Sequence, residues 1–143
     1  MILLTLFLSV SFASECVPNN TDCSFYLCLE KEKKCGYRGF PLRYGYRFCQ
    51  YFEGMETYSE KLNTWLSDTR ICLQEKLKAN DYSCQYMFYN SIQDHVSCYE
   101  DSGYCALDKG ERRIVRRKIL RELLDAPIYI VKNTVTFLRK ACR

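Results

Sequence analysis

The sequence predicts an all-α fold: a small, disulfide-rich helical domain of about five or six helices with an irregular Gly/Pro loop. Three observations carry that prediction. Ten cysteines, an even number, supply up to five bridges in a chain of 143 residues. Four segments space their apolar residues at intervals of three and four, the period of a helix with one buried face. Only the last of these has the composition of a strand, and no other segment offers it a strand partner.

The first element, Cys23 to Lys34 (CSFYLCLEKEKK), reads as a short helix whose closing lysines suit the negative end of its dipole. Gly36, Gly39, Pro41 and Gly45 then cluster within CGYRGFPLRYGY, the irregular loop. From Met55 to Leu77, the residues Met55, Tyr58, Leu62, Trp65, Leu66, Thr69, Cys72, Leu73 and Leu77 share one face of a helix of about six turns. A second helix runs from about Tyr82 to Glu100, with Cys84, Met87, Phe88, Ile92, His95, Cys98 and Tyr99 inward. The third covers Glu111 to Leu124, with Val115, Ile119, Leu120, Leu123 and Leu124 inward. Asp125-Ala126-Pro127 ends it, because proline disfavours the helical region for the residue before it. Ile128 to Cys142 keeps helical spacing through Ile128, Val131, Val135, Leu138 and Cys142, although IYIV and TVTF are rich in β-formers. It is read as a helix for want of a strand partner.

Cysteine makes up about 7% of the chain, close to the roughly 8–10% of dedicated disulfide scaffolds. A net charge of +4 is mild, and excludes a histone-like chain or any demand for nucleic acid as partner. Residues 1–13 read as a signal peptide: Met1 to Phe12 is uncharged and apolar, with Ser11 and Ala13 as small residues before a cut. Residues 14–143 then form a single domain, secreted and extracellular, with no transmembrane segment, since no run approaches the roughly 20 apolar residues a span needs. Export and an even cysteine count favour disulfides over zinc: there is no C-x-x-C pair, and His95 is the only imidazole. Asn19-Asn20-Thr21, between Cys16 and Cys23, is an N-glycosylation acceptor at Asn19.

The half-cystines stand at Cys16, Cys23, Cys28, Cys35, Cys49, Cys72, Cys84, Cys98, Cys105 and Cys142. Their order resembles the ten-cysteine frame of the stanniocalcins, a family of secreted glycoprotein hormones. The closest pieces are Cys23-x4-Cys28-Leu29-Glu30, the gap from Cys49 to Cys72 with its apolar Tyr58 and Trp65-Leu66, and Cys84-x13-Cys98-Tyr99-x5-Cys105. The resemblance implies pairing of Cys16 with Cys28, Cys23 with Cys49, Cys35 with Cys84, Cys72 with Cys98, and Cys105 with Cys142. It also implies a hormone-like or paracrine role, with calcium and phosphate balance as the family theme and inhibition of pappalysin-type metalloproteinases within its range. Three features depart from the family: a longer Cys35–Cys49 gap, Lys31-Glu32-Lys33-Lys34 where a sequon is usual, and a chain ending at Arg143. The last puts the family's disulfide-linked homodimer in doubt and leaves a non-covalent one open. One implied bridge conflicts with simple geometry. In a straight hairpin turning near Asp81, Cys72 faces about residue 89, which leaves Cys98 roughly 13 Å away, whereas bridged Cα atoms lie within about 7 Å.

No residues are assigned to catalysis, metal or cofactor. Tyr44-Gly45 before Cys49, together with Asp94, His95 and Cys98, has a superficial likeness to secreted phospholipase A2. Its order is Asp-His rather than His-Asp, and Tyr46-Arg47-Phe48 replaces the small residues of a calcium loop, so a calcium-assisted oxyanion mechanism lacks its parts. The distinct electrostatic feature is ERRIVRRKILR, Glu111 to Arg121. Arg113, Arg117 and Arg121 share a face with Arg112 and Arg116 beside them, and Lys118 adds to the charge. Such a face binds anionic glycan, phospholipid headgroups or acidic protein, and Arg139 and Lys140 extend it if the last two helices pack side by side. The Tyr/Arg loop is the second partner candidate, through Tyr37, Arg38, Arg43, Tyr44 and Arg47, because Tyr and Arg are favoured interface anchors. The expected partner is an extracellular protein, a receptor or a protease.

Overall fold

The computed structural model describes residues 16–53, 59–124 and 126–142. The expected signal peptide, and Met55 and Tyr58, lie outside the described residues. Among those described there are six α-helices and no strand. Helix α1 (Ser24–Lys33) ends where Lys34 turns left-handed and its N–H donates to the Glu30 carbonyl at 2.7 Å.

The Gly/Pro stretch is half turn and half helix. Residues 34–39 form the turn. A wide π-helical turn (Pro41–Tyr46) follows and runs into α2 (Arg47–Glu53). Pro41 suits the first helical position, whose N–H has no acceptor in any case. Gly45 is required because its backbone lies against the buried ring of Tyr26; a Cβ there would stand 2.3 Å from Tyr26 Cδ1. Dense glycine and proline thus signal close approach here as much as looping.

Helix α3 (Glu60–Asn80) begins later than the apolar spacing suggests, because Ser59 caps it: its Oγ accepts from the Leu62 N–H at 3.1 Å. Asp81 turns left-handed, and Ser83 leads extended into α4 (Cys84–Asp101). A 3-10 turn (Tyr104–Ala106) then precedes α5 (Lys109–Glu122). Asp108 and Glu111 form a reciprocal capping box, each carboxylate accepting the other's backbone N–H at 2.8 Å. Buried Glu111 also accepts the Ser59 hydroxyl, so one side chain ties together the starts of α3 and α5. The final segment is helical, α6 (Ile128–Lys140), entered through Pro127.

The core has two parts. One joins Leu62 and Trp65 to Tyr99, Tyr104, Val115, Ile119, Leu123, Ile130 and Leu138. The other packs Phe25, Tyr26, Leu29, Phe40, Leu77 and Met87 around Cys16, Cys23 and Cys49. The inward faces of α5 and α6 need correction. Leu124 and Ile128 are each 81% exposed, Leu120 is 37% exposed, and Cys142 is on the surface. Leu138 is buried as its spacing suggests, and Ile130 is buried in place of Ile128. Apolar residues surround α6 on several sides, so spacing alone admits more than one stripe. The one that faces the core is the one that α4 and α5 pack against.

All ten cysteines are bridged, in the five pairs the family resemblance implies. The awkward pair, Cys72 with Cys98, closes with Cα atoms 5.6 Å apart. Cys72 lies eight residues before the end of α3 and Cys98 fourteen into α4, so the bridge joins the helices six residues out of step. That is about 9 Å of axial offset. The turn sits near Asp81, where expected; the straight, in-register hairpin is what fails.

Candidate functional site

The cations between Glu111 and Arg121 on α5 fall into two sets. Arg112, Arg116 and Lys118 are half-buried and held by the protein. Arg112 donates to the Cys105 carbonyl at 3.1 Å, Arg116 to the Arg112 carbonyl at 3.3 Å, and the Lys118 ammonium stands 4.4 Å from the Tyr51 ring centre. Arg113, Arg117 and Arg121 are exposed, at four-residue spacing. The bridge from Cys105 to Cys142 closes the α5–α6 hairpin, so exposed Arg139 and Lys140 in the last turn of α6 stand near the start of α5. At the other end of the hairpin, exposed Leu120, Leu124, Ile128 and Tyr129 form an apolar tip next to Arg117 and Arg121.

The Tyr/Arg stretch divides similarly. Tyr37 is 74% exposed with the Arg38 guanidinium 5.4 Å from its ring centre. Tyr44 is half-buried, its ring 4.3 Å from that of Phe88, with exposed Arg43 above it at 5.5 Å. Arg47 is also exposed. Only Tyr37, Arg38, Arg43 and Arg47 therefore present themselves to a partner, while Tyr44 is largely part of the core wall.

Asn19 belongs to a segment laid along α3. Its N–H donates to Gln74 Oε1 at 2.7 Å, Asn20 Nδ2 donates to Ser67 Oγ at 3.0 Å, and Arg70 donates to the Asn20 carbonyl at 2.6 Å. Asn19 Oδ1 accepts the Asp22 N–H at 3.0 Å, shaping the turn into α1. Its Nδ2, the atom a glycan would take, has a 3.3 Å contact to Ser24 Oγ at the surface.

His95 and Asp94 do not form a dyad. The His95 Nδ1–H donates to the Ser91 carbonyl, and Asp94 accepts the Tyr82 hydroxyl at 3.2 Å. Burial pushes the His95 imidazole below its ordinary value, against smaller upward pulls from the Ser91 carbonyl and the Asp94 carboxylate. Sulfur and carboxylate atoms gather at Cys16, Cys28 and Glu32 and at Cys23, Cys49 and Glu53, but the sulfurs are bridged and lack thiolate character.

One feature has no local signal in the sequence. A cavity of about 110 Å³ lies between α2, α3 and α4 and reaches α5 and α6, walled by Phe40, Phe48, Trp65, Phe88, Tyr99 and Phe137 among others. Thr69 faces it. Its place on the inner face was legible; that its hydroxyl would lack a partner was not, because that depends on what α2 and α4 bring opposite. No family model, curated protein or solved structure matches the chain.

Proposed function

We propose that the protein is a secreted, hormone-like or paracrine glycoprotein that acts by binding an extracellular protein, a receptor or a protease, in the manner of the stanniocalcins. The observation that supports this reading is the bridge order: five pairs spread over nearly the whole of residues 16–142, in the arrangement of that family's frame. A helical body so stapled keeps its surface side chains in fixed relation, which is what recognition without catalysis requires. Among the described residues, no helix is long and apolar enough to cross a membrane. Calcium and phosphate balance and inhibition of pappalysin-type metalloproteinases are the roles carried over from the family. Protein collected from culture medium should yield these five pairs in non-reduced peptides and should slow proteolysis by a pappalysin-type enzyme through a stable complex. Free thiols or other pairings would remove the kinship; intact pairings without a complex would remove the inhibitory role.

A second reading has its own observation, the apolar tip of the α5–α6 hairpin beside Arg117 and Arg121. Cations flanking exposed apolar side chains suit an anionic membrane surface, and the cations alone suit a sulfated glycan. Reversing Arg113, Arg117 and Arg121 to glutamate should abolish salt-sensitive retention on heparin and on phosphatidylserine vesicles. Loss on vesicles but not heparin after Leu124→Ser and Ile128→Ser would assign the tip to lipid. Retention that survives the charge reversal would refute this reading.

A further inference from the structure

We propose that the surface around the Cys35–Cys84 bridge docks an acidic segment of an extracellular protein, whose carboxylates meet Arg38 and Arg43 and whose apolar side chains lie on Tyr37, Tyr86 and Tyr89. It rests on the reading that the protein acts by binding another protein, and adds where and through what chemistry.

Segments distant in the chain build this surface. The Cys35–Cys84 bridge, with Cα atoms 5.4 Å apart, fastens the turn after α1 to the first turn of α4. Tyr37 and Tyr86 each lie two residues beyond a half-cystine of that bridge, and they are 74% and 59% exposed. A second tie runs through the Tyr44 ring, 4.3 Å from that of Phe88. Arg43 lies over Tyr44, and Tyr89 follows Phe88. Tyr89 is 53% exposed and, three residues after Tyr86, shares its face of α4. The turn is also tight. Gly39 passes so close to Cys35 that a Cβ there would stand 2.4 Å from Cys35 Cβ. A surface held in this way loses little freedom on docking.

Its composition indicates what fits. Among the described residues, four tyrosines are strongly exposed, Tyr37, Tyr86, Tyr89 and Tyr129, and three of them are here. Tyrosine offers a large amphipathic ring at little conformational cost, and with arginine it is enriched in protein-binding hot spots. The three together expose about 400 Å², about half of one side of a standard interface, which suits a single segment of chain. Lys34, Arg38 and Arg43 are exposed, whereas Gln85, Tyr86, Tyr89 and Gln93 give α4 an uncharged outer face. Asp81 is engaged by the Lys33 ammonium, and Glu30 accepts the Gly36 N–H at 2.7 Å. Cations are therefore what the patch offers, and carboxylates complement them. A sulfated glycan is better matched by an unbroken row of cations such as Arg113, Arg117 and Arg121; here the cations are interleaved with rings.

Selection of a displayed library of random twelve-residue peptides on the bridged protein tests this directly. Enriched peptides should carry net negative charge together with aromatic or aliphatic side chains. By fluorescence anisotropy, labelled copies should bind roughly tenfold or more weakly to Arg38→Glu/Arg43→Glu and to Tyr86→Ala/Tyr89→Ala, and unchanged to Arg113→Glu/Arg117→Glu/Arg121→Glu. All these side chains are exposed, so each variant should keep the circular dichroism of the parent. Absence of enrichment, enrichment of neutral or basic peptides, or affinity that survives both pair variants overturns the proposal. So does a heparin octasaccharide whose binding is lost on Arg38→Glu/Arg43→Glu and not on the α5 reversal, which assigns the surface to glycan. A pappalysin-type complex that persists in both pair variants removes this surface and leaves the function proposed above standing. Acidic peptides that bind here without any such complex do the reverse.

Discussion

Replacing Cys105 and Cys142 together by serine removes one bridge from a place where nothing else should collapse. Both half-cystines are exposed, so the substitution buries no hydroxyl and leaves no hole in the core. The closed loop has a sequence separation of 37 and contains no other cysteine, so no second bridge shortens it in the unfolded chain. The loop-closure entropy lost from the unfolded state then amounts to about 4 kcal/mol at 25 °C. Cys16 with Cys28 makes the contrast. Its separation is 12, Cys23 inside the loop is itself bridged outward, and Cys16 is buried at 6% exposure. Removing that pair mixes a smaller entropic term, about 3 kcal/mol, with a cost of core packing. Urea unfolding of the Cys105→Ser/Cys142→Ser protein, its other four bridges intact, measures the first figure directly from the midpoint shift at constant slope. A loss below about 1 kcal/mol with an unchanged slope would refute the reasoning, because the entropic account leaves little else for this bridge to contribute.

Three other outcomes follow from particular contacts. Glu111→Ala removes a capping-box partner and the acceptor of the Ser59 hydroxyl at once. A loss of about 1–3 kcal/mol in urea unfolding is expected, and a change within about 0.3 kcal/mol would count against the tie between α3 and α5. Gly45→Ala places a methyl group inside contact distance of the buried Tyr26 ring and should destabilise by about 1–3 kcal/mol, read as a lower melting temperature. For pH, the folded His95 imidazole lies below the unfolded value near 6.5, so the unfolded chain binds the proton more readily. Stability should fall as pH drops through about 6.5 and level off below the folded value. His95→Gln should flatten that part of the profile between about pH 8 and pH 5, and a slope that survives the substitution assigns it to another group.

The helices were legible because each one announces itself locally. Apolar spacing places α3 and α4, and the proline after Ala126 separates α5 from α6; the capping box of Asp108 with Glu111 starts α5 at Lys109, two residues before the spacing does. Ser59 is an equally local signal, a cap that starts α3 at Glu60 where apolar spacing alone runs back to Met55. The cations of α5 were legible as a set, but their division was not. Arg112 and Arg116 find backbone carbonyls and Lys118 finds the Tyr51 ring, and only the folded chain brings Cys105 and Tyr51 to them.

By itself the sequence determined that the chain is helical, where most helices lie and how many bridges the cysteines can form, because these depend on near neighbours and on counting. Tertiary structure decided which stripe of α6 is buried, why Gly45 must be glycine, how Cys72 reaches Cys98 six residues out of step, and that Thr69 meets a cavity instead of a partner. Periodicity says which side chains share a face. What stands opposite that face is set by segments distant in the chain, and their distance and angle are fixed only once the bridges and the core close together.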